Sequence, residues 1–168
     1  MIKVGEQLPL NITLWKTSKP LDDGTCPIAQ KVVSKDLFEN KKVVLFAVPG
    51  AFTPTCSGKH LPGFLANYDQ IKSKGIDNII CIATNDSFVM TYWGKDQKVG
   101  DKIQLVSDGN SEFTKKIGLD FDGSAHGMGV GRSLRYAMIV DNAVVKYLGV
   151  EKPGQLEVST AEAILANL

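Results

Sequence analysis

Short apolar runs alternate with amphipathic stretches along this chain. Residues 43–48 and 79–83 are almost entirely apolar, and runs of this length are typical of strands covered on both faces of a sheet. From about Cys56 to Lys74, apolar residues recur at spacings of three and four, which predicts an amphipathic helix that Gly75 ends. Pro62 lies inside this helix and is expected to kink it or to widen it locally.

The rest of the chain continues the alternation of strands and helices. The period-two pattern before Trp15 predicts an edge or hairpin strand. Further predicted elements are a capped short helix at 34–38, a helix beginning at Asp86 and Ser87, a strand at 103–106, a short helix at 111–117, a hairpin over 134–150 that turns at Asp141 and Asn142, and a last helix capped by Ser159 and Thr160. This order predicts a three-layer α/β fold in which helices flank a mixed sheet. Without repeats or linkers, residues 1–168 are expected to form a single domain.

Composition narrows the class of protein and its compartment. The net charge of +1 gives no electrostatic case for binding nucleic acid or anionic membranes, and no apolar run is long enough to span a bilayer. The first residues lack the apolar stretch of a secretory signal, and three widely spaced cysteines indicate a reducing compartment, so a cytoplasmic location is expected. The last three residues, 166–168, loosely resemble a peroxisomal address with Asn in place of the basic residue, which leaves the peroxisome as the alternative.

The stretch over residues 49–56 carries the candidate chemistry. It joins a buried strand to a helix and places Cys56 in the first helical turn, where unpaired N–H groups favour a thiolate. Thr53 lies three residues earlier, so the turn can bring its hydroxyl beside the sulfur. Pro49 and Pro54 can stiffen the turn and shield the sulfur from water.

A distant cation would complete this site. Arg132 and Arg135 follow the glycine-rich loop at 120–131 and open a strand, from which they can reach the same sheet edge. A shielded thiolate surrounded by a hydroxyl, amides and a guanidinium is suited to attack on a peroxide O–O bond, which yields a sulfenic acid. The competing interpretation is that Cys56 is a buried structural thiol.

Residues 49–56 and 60–64 together resemble the active-site signature of the peroxiredoxins, in the type-five (also called type-two) subfamily. Other stretches that resemble the family are 85–90, 93–95, 107–108 and 135–138, so the likeness covers nearly the whole chain. It implies a thioredoxin-like fold and a thiol peroxidase that reduces hydrogen peroxide and alkyl hydroperoxides in antioxidant defence. It also implies a homodimer with the Cys56 faces and residues 123–131 near the interface, and no cofactor or metal.

The resemblance also assigns roles to residues. Cys56 matches the peroxidatic cysteine, Thr53 the peroxide-orienting hydroxyl and Pro49 the shielding proline. Arg135, which directly precedes Tyr136, matches the active-site arginine. Arg132 is then expected to flank the pocket or to form a surface pair.

Two other cysteines are candidates for resolving the sulfenic acid. Cys81 resembles the second cysteine of plant-type members, yet it lies within a buried-strand pattern, so a packed core thiol is its alternative role. Cys26 lies in a polar loop and resembles the early cysteine of fungal-type alkyl hydroperoxide reductases, which resolves across a dimer; it is alternatively a spectator. Residues 155–159 contain no cysteine, so the route of a third branch is absent. If neither Cys26 nor Cys81 resolves, glutaredoxin with glutathione, or thioredoxin, must reduce the sulfenic acid.

His60 leaves other classes of function open. It lies four residues after Cys56, so the pair can face the same way and suggests either a metal site or a Cys-His hydrolase. Two histidines and scattered cysteines are a poor zinc constellation, and a stacking or capping role for His60 is the simpler interpretation. The alternative to a peroxidase is a redox sensor or chaperone-like binding protein in which Cys56 is oxidised without sustained turnover.

Overall fold

The computed structural model describes residues 1–18 and 28–168 of the chain. The strands are β1 Thr13–Thr17, β2 Ala29–Val33, β3 Lys42–Ala47, β4 Asn78–Ala83, β5 Gln104–Ser107, β6 Asp120–Phe121, β7 Arg132–Ser133, β8 Tyr136–Asp141 and β9 Val144–Val150. The α-helices are α1 Ser34–Phe38, α2 Leu61–Ala66, α3 Tyr68–Ser73, α4 Ser87–Asp96, α5 Glu112–Lys116 and α6 Ala161–Leu165. A π-helical turn covers Cys56–His60, and a 3-10 turn covers Ser124–His126.

The predicted mixed sheet is confirmed. Within the described ranges its seven strands run in the order β2-β1-β5-β4-β3-β8-β9. Strand β3 pairs in parallel with β4 and antiparallel with β8, and β8 continues into β9 as a hairpin. Strands β6 and β7 form a separate short ribbon. The carboxyl ends of β3, β4 and β5 therefore meet at one edge of the sheet.

Helices cover both faces of this sheet, as the continuous apolar runs predict. In β3, Val44 and Phe46 point to one face while Val43 and Leu45 point to the other, and all of them are fully buried. The first face packs against the helical segment after Cys56, α4 and α6, whereas the second packs against α1 and α5. The result is the expected three-layer arrangement with two apolar cores.

The helix after Cys56 is widened where Pro62 predicts it. Because Pro62 has no N–H to donate, the ordinary hydrogen-bond ladder cannot pass through it. The N–H of Leu61 instead donates to the carbonyl of Cys56, five residues back, which defines the π-helical turn. The segment then divides into α2 and α3 around Asn67, and Gly75 ends it with φ of +79°.

Three local predictions need correction. The alternating N-terminal stretch becomes a strand only from Thr13 onwards. Strand β1 pairs antiparallel with β2, in agreement with the hairpin alternative, and β2 rather than β1 lies at the edge of the sheet. Helix α1 begins at Ser34 without a side-chain cap, since the Ser34 hydroxyl accepts the N–H of Ile12 instead. The glycine-rich loop at 120–131 is not wholly irregular, because it contains β6 and the 3-10 turn.

Asn85 joins the turns at the carboxyl edge of the sheet. Its side-chain oxygen accepts the N–H of Ala51 at 2.9 Å, and its main-chain carbonyl accepts the hydroxyl of Ser107 at 2.7 Å. Ala51 is almost completely buried, so its N–H has little access to water. Asn85 thus holds the turn after β3 to the ends of β4 and β5.

We expect Asn85→Ala to lower the free energy of unfolding by about 1–3 kcal/mol, because it leaves a buried N–H without an acceptor. Urea denaturation measures this change. Asn85→Asp keeps an acceptor oxygen and is the matched control, so it should cost clearly less. Equal losses for the two variants would show that the hydrogen bond to Ala51 is not responsible.

Candidate active site

The turn between β3 and the helix has the geometry expected of a helix start. The carbonyl of Thr53 accepts the N–H of Ser57 at 3.0 Å, and helical structure begins at Pro54. Cys56 therefore lies in the first helical turn, where main-chain N–H groups lack intrahelical acceptors. Gly50 is tightly packed, because an added Cβ would lie 3.1 Å from the Thr53 methyl group.

Thr53 uses its hydroxyl proton inside the turn. The hydroxyl donates to the carbonyl of Gly50 at 2.8 Å. A hydroxyl has one proton and two acceptor lone pairs, so its oxygen still has acceptor capacity. Toward a substrate, the Thr53 hydroxyl can therefore act as an acceptor, because its proton is donated to the carbonyl of Gly50.

The structure brings Arg135 to Cys56. Register places Tyr136 opposite Ala47, so Arg135 lies level with the start of the turn after β3. The guanidinium Nη2 donates to the Cys56 sulfur at 3.4 Å, and the sulfur itself is fully buried. The contact places a positive charge directly against a sulfur that is shielded from water.

Arg132 lies at the side of the site. Its Nε donates to the carbonyl of Met128 at 2.7 Å, and its Nη1 lies 3.4 Å from the carbonyl of Pro49. These bonds join the glycine-rich segment to the first residue of the turn. Arg132 thus braces the wall of the pocket, in agreement with the flanking position expected of it.

His60 supports the site as a neutral side chain. Its ring is buried against the stacked rings of Phe46 and Phe64, with centroid distances of 5.1 and 5.6 Å. Nδ1 contacts Arg135 Nη1 at 3.0 Å, and Nε2 contacts the carbonyl of Ser159 at 2.8 Å. Since arginine can only donate and a carbonyl can only accept, the proton resides on Nε2. Burial lowers the pKa of His60 to about 4.

These contacts remove the hydrolase interpretation of Cys56 and His60. A Cys-His hydrolase needs an imidazole nitrogen that can take the proton of the sulfur. Both ring nitrogens of His60 are already engaged with Arg135 and Ser159. Across the described parts of the chain, no group of three or more His, Cys, Asp and Glu side chains is arranged to hold a metal ion.

Of the two candidate resolving cysteines, only Cys81 lies within the described residues. Cys81 is fully buried on β4, between β3 and β5, and packs in the same apolar core as Cys56. Burial raises the pKa of its thiol well above the usual value, and the neighbouring Cys56 raises it further. Cys81 is therefore a neutral core thiol in this conformation. Cys26 lies outside the described residues.

A cavity of about 360 Å³ adjoins the site. Pro49 and Arg135 line it on one side, and residues 151–155 line it on the other. Phe121 and Leu134 supply apolar wall. The cavity is large enough for a small organic group beside the arginine.

Sequence reasoning missed Ser159 and Glu151. Both lie about a hundred residues from the signature at 49–56, and neither forms a recognisable motif. Ser159 contacts His60 Nε2 through its carbonyl at 2.8 Å and through its hydroxyl at 3.4 Å, and both contacts join segments that are far apart in the chain. In the sequence, Ser159 is recognisable only as a possible cap of α6. Its complete burial is seen only in the structure.

Comparison with known proteins agrees with this geometry. The model of the Redoxin family matches residues 3–165. The chain is 47% identical over 168 residues to the chloroplastic peroxiredoxin-2E of Arabidopsis thaliana, covering 99% of this chain and 69% of the relative. It is 45% identical over 167 residues to peroxiredoxin-2C of Oryza sativa subsp. japonica, covering 99% and 98%. The crystal structure of reduced Prx3 from Vibrio vulnificus in complex with H2O2 superposes with a TM-score of 0.87 at 48% identity, covering 99% and 95%.

The fold is the thioredoxin-like fold of the Redoxin family. Within that family the chain belongs to the peroxiredoxins, and it is a thiol-dependent peroxidase of the antioxidant class. The predicted fold and family are confirmed, and the peroxiredoxin-2 relatives agree with the type-two assignment. The likeness to fungal-type members in cysteine pattern stays a prediction. None of the helices in the described ranges is long and apolar enough to cross a membrane.

The buried neutral His60 predicts a pH dependence of stability. Its pKa falls from 6.5 in the unfolded chain to about 4 in the folded protein, so only the unfolded chain binds the proton between these values. The free energy of unfolding should therefore decrease as pH falls through this window, by about 3 kcal/mol in total. Urea denaturation between pH 7.5 and 4.5 measures the slope.

A matched pair of variants isolates this contribution from that of the carboxylates. His60→Gln should flatten the slope, whereas His126→Gln changes an exposed histidine and should preserve it. Identical slopes in the two variants would contradict the assignment.

Proposed function

We propose that this chain reduces hydrogen peroxide and alkyl hydroperoxides with the Cys56 thiolate as the nucleophile. The observation that carries the proposal is the Arg135 guanidinium 3.4 Å from a buried sulfur in the first turn of a helix. The thiolate attacks one peroxide oxygen, and the S–O bond forms as the O–O bond breaks. The sulfur is oxidised to a sulfenic acid, and the leaving alkoxide or hydroxide takes a proton to give alcohol or water.

The surrounding groups match the charges that develop in this reaction. Arg135 can stabilise the thiolate before attack and the negative oxygen during it. Thr53 orients the peroxide by accepting its O–H, because the threonine proton is held by Gly50. The N–H groups of the first helical turn supply further donors. Pro49, whose carbonyl lies near Arg132, covers the pocket and keeps water from the sulfur.

The burial of Cys56 and the nearby cavity bear on the choice of substrate. With the sulfur fully covered, a peroxide reaches it only after a small displacement of the covering residues. The cavity beside Pro49 and Arg135 has apolar wall that suits the organic part of an alkyl hydroperoxide. The similar Vibrio vulnificus protein was crystallised with H2O2, which supports the smaller substrate as well.

The second half of the cycle requires a thiol reductant. We assign this role to glutaredoxin with glutathione or to thioredoxin, with Cys26 as the candidate resolving cysteine across a homodimer. Cys81 is the weaker candidate, because β4 is hydrogen-bonded on both sides and would have to move to form a disulfide.

A cytoplasmic location is proposed over the peroxisome. Three widely spaced cysteines suit a reducing compartment such as the cytoplasm. A sensor without sustained turnover remains the second candidate function. A buried thiolate supports it, since such a group can be oxidised once without any reductant reaching it.

Steady-state turnover distinguishes these functions. Consumption of peroxide should be sustained with glutaredoxin and glutathione or with thioredoxin, and Cys56→Ser should abolish it because the nucleophile is lost. Cys81→Ala should keep at least about half of the activity, since a small apolar side chain in place of the core thiol leaves the pocket in place. Oxidation of one equivalent followed by arrest with every reductant would identify a sensor instead.

Disulfide mapping identifies the recycling route. After one equivalent of peroxide, we expect a Cys26–Cys56 bond between two chains, seen as a dimer on a non-reducing gel and located by mass spectrometry. Cys26→Ser should then stop turnover with thioredoxin. An intramolecular Cys56–Cys81 bond would reject Cys26 as the partner. The absence of any bond would leave direct reduction of the sulfenic acid by glutaredoxin with glutathione or by thioredoxin.

A further inference from the structure

A buried carboxylate lies behind the active site, at the end of β9. Glu151 is 7% exposed, and its Oε1 accepts the N–H of Glu157 at 2.7 Å and both the N–H and the hydroxyl of Ser159, at 2.7 and 2.9 Å. Burial by itself raises the pKa of Glu151, but these hydrogen bonds outweigh it and the pKa is lowered. The carboxylate is therefore ionised at neutral pH and closes the loop over residues 151–159.

The closed loop is held against the sheet by a second set of contacts. Gly149 leaves no room for a side chain, because an added Cβ would overlap the carbonyl of Val158. That carbonyl accepts the hydroxyl of Tyr147 at 2.7 Å. Ser159, the next residue, is fully buried. The main chain at Ser159 thus has a defined position, with the Glu151 carboxylate on its N–H.

A continuous series of contacts runs from this loop to the reactive sulfur. The carbonyl of Ser159 accepts the proton of His60 Nε2 at 2.8 Å, and His60 Nδ1 then accepts from Arg135 at 3.0 Å. Arg135 in turn donates to Cys56 at 3.4 Å. The second contact depends on the first, because His60 Nδ1 can accept from Arg135 only while the ring proton is on Nε2.

We propose that Glu151 is a positioning residue for the peroxidase reaction, which selects the tautomer of His60 through Ser159 and so holds Arg135 against the Cys56 sulfur. The proposal rests on the proposed function of Cys56. A positioning role requires that loss of the Glu151 carboxylate changes the tautomer of His60, whereas a merely structural role does not. A neutral His60 also leaves Arg135 without a competing positive charge beside it.

The rate of oxidation tests the effect on Cys56. Trp93 donates to the hydroxyl of Ser57, one residue after Cys56, so its fluorescence can report oxidation in stopped flow. Glu151→Ala should lower the second-order rate constant with hydrogen peroxide by about tenfold to hundredfold, because a misplaced catalytic group costs on this order. Glu151→Gln keeps an acceptor oxygen and should restore part of this loss.

Glu157→Ala is the matched control. Glu157 is on the same loop and its side chain is exposed, while its main-chain N–H, which contacts Glu151, is unaffected by the substitution. Its rate constant should stay within about twofold of the parent value, as expected for a surface substitution. A similar fall in Glu157→Ala and Glu151→Ala, or no fall in Glu151→Ala, would overturn the proposal.

The tautomer of His60 gives the readout that loop stability alone would not change. The chain has only two histidines, so 15N spectra of a His126→Gln background report His60 alone. The parent should show the Nε2–H tautomer, and Glu151→Ala should shift the ring toward a mixture. A slower reaction with an unchanged ring signal would mean that Glu151 does not act through His60.

The effects of Glu151→Ala and His60→Gln should also be non-additive. If the two residues act in series, Glu151→Ala should add less than about twofold to the loss seen in His60→Gln. If the rate losses of the two single variants multiply in the double variant, the two residues do not act in series and the proposal is overturned. Failure of the proposed function can be told apart from failure of this proposal. If the proposed function fails, the parent protein shows no Cys56-dependent reaction with peroxide. The 15N spectra of His60 still show in that case whether Glu151 sets the tautomer.

Discussion

The contact between the Arg135 guanidinium and the Cys56 sulfur is the interaction on which the site depends. A thiolate removed from water is costly unless a cation or donor faces it, and a guanidinium in the same low-dielectric surroundings meets that requirement. The contact is set by the antiparallel register of β3 and β8, which places Arg135 level with the turn that begins at Pro49. The sheet thus aligns a charge that directly precedes β8 with a cysteine that follows β3.

The two described cysteines show how strongly the surroundings decide reactivity. Cys56 and Cys81 are both fully buried and belong to the same apolar core. Burial raises the pKa of Cys81 and keeps it a thiol, whereas Cys56 starts a helix and receives the hydrogen bond of Arg135. Burial alone therefore does not distinguish the two cysteines, whereas the hydrogen bond from Arg135 to Cys56 does.

His60 links this pair to the rest of the protein. A protonated imidazole beside Arg135 would repel it, so the ring has to stay neutral, and burial against Phe46 and Phe64 lowers its pKa to about 4. Its second nitrogen is held by Ser159, whose segment is closed by Glu151. The contacts connect the loop after the last strand to Arg135, although neither Ser159 nor Glu151 contacts the sulfur.

The sequence by itself determined the parts of this protein that depend on local order. The apolar runs at 43–48 and 79–83 predict the central strands, Pro62 predicts the widened helix, and the spacing of Pro49, Thr53 and Cys56 predicts a nucleophile at a helix start, because each follows from residues that are neighbours in the chain. Only the tertiary structure decided which arginine reaches the sulfur, that the Thr53 proton is used by Gly50, that both nitrogens of His60 are engaged, and that Glu151 and Ser159 belong to the site. These facts depend on strand register and on contacts between distant segments, which local patterns do not encode.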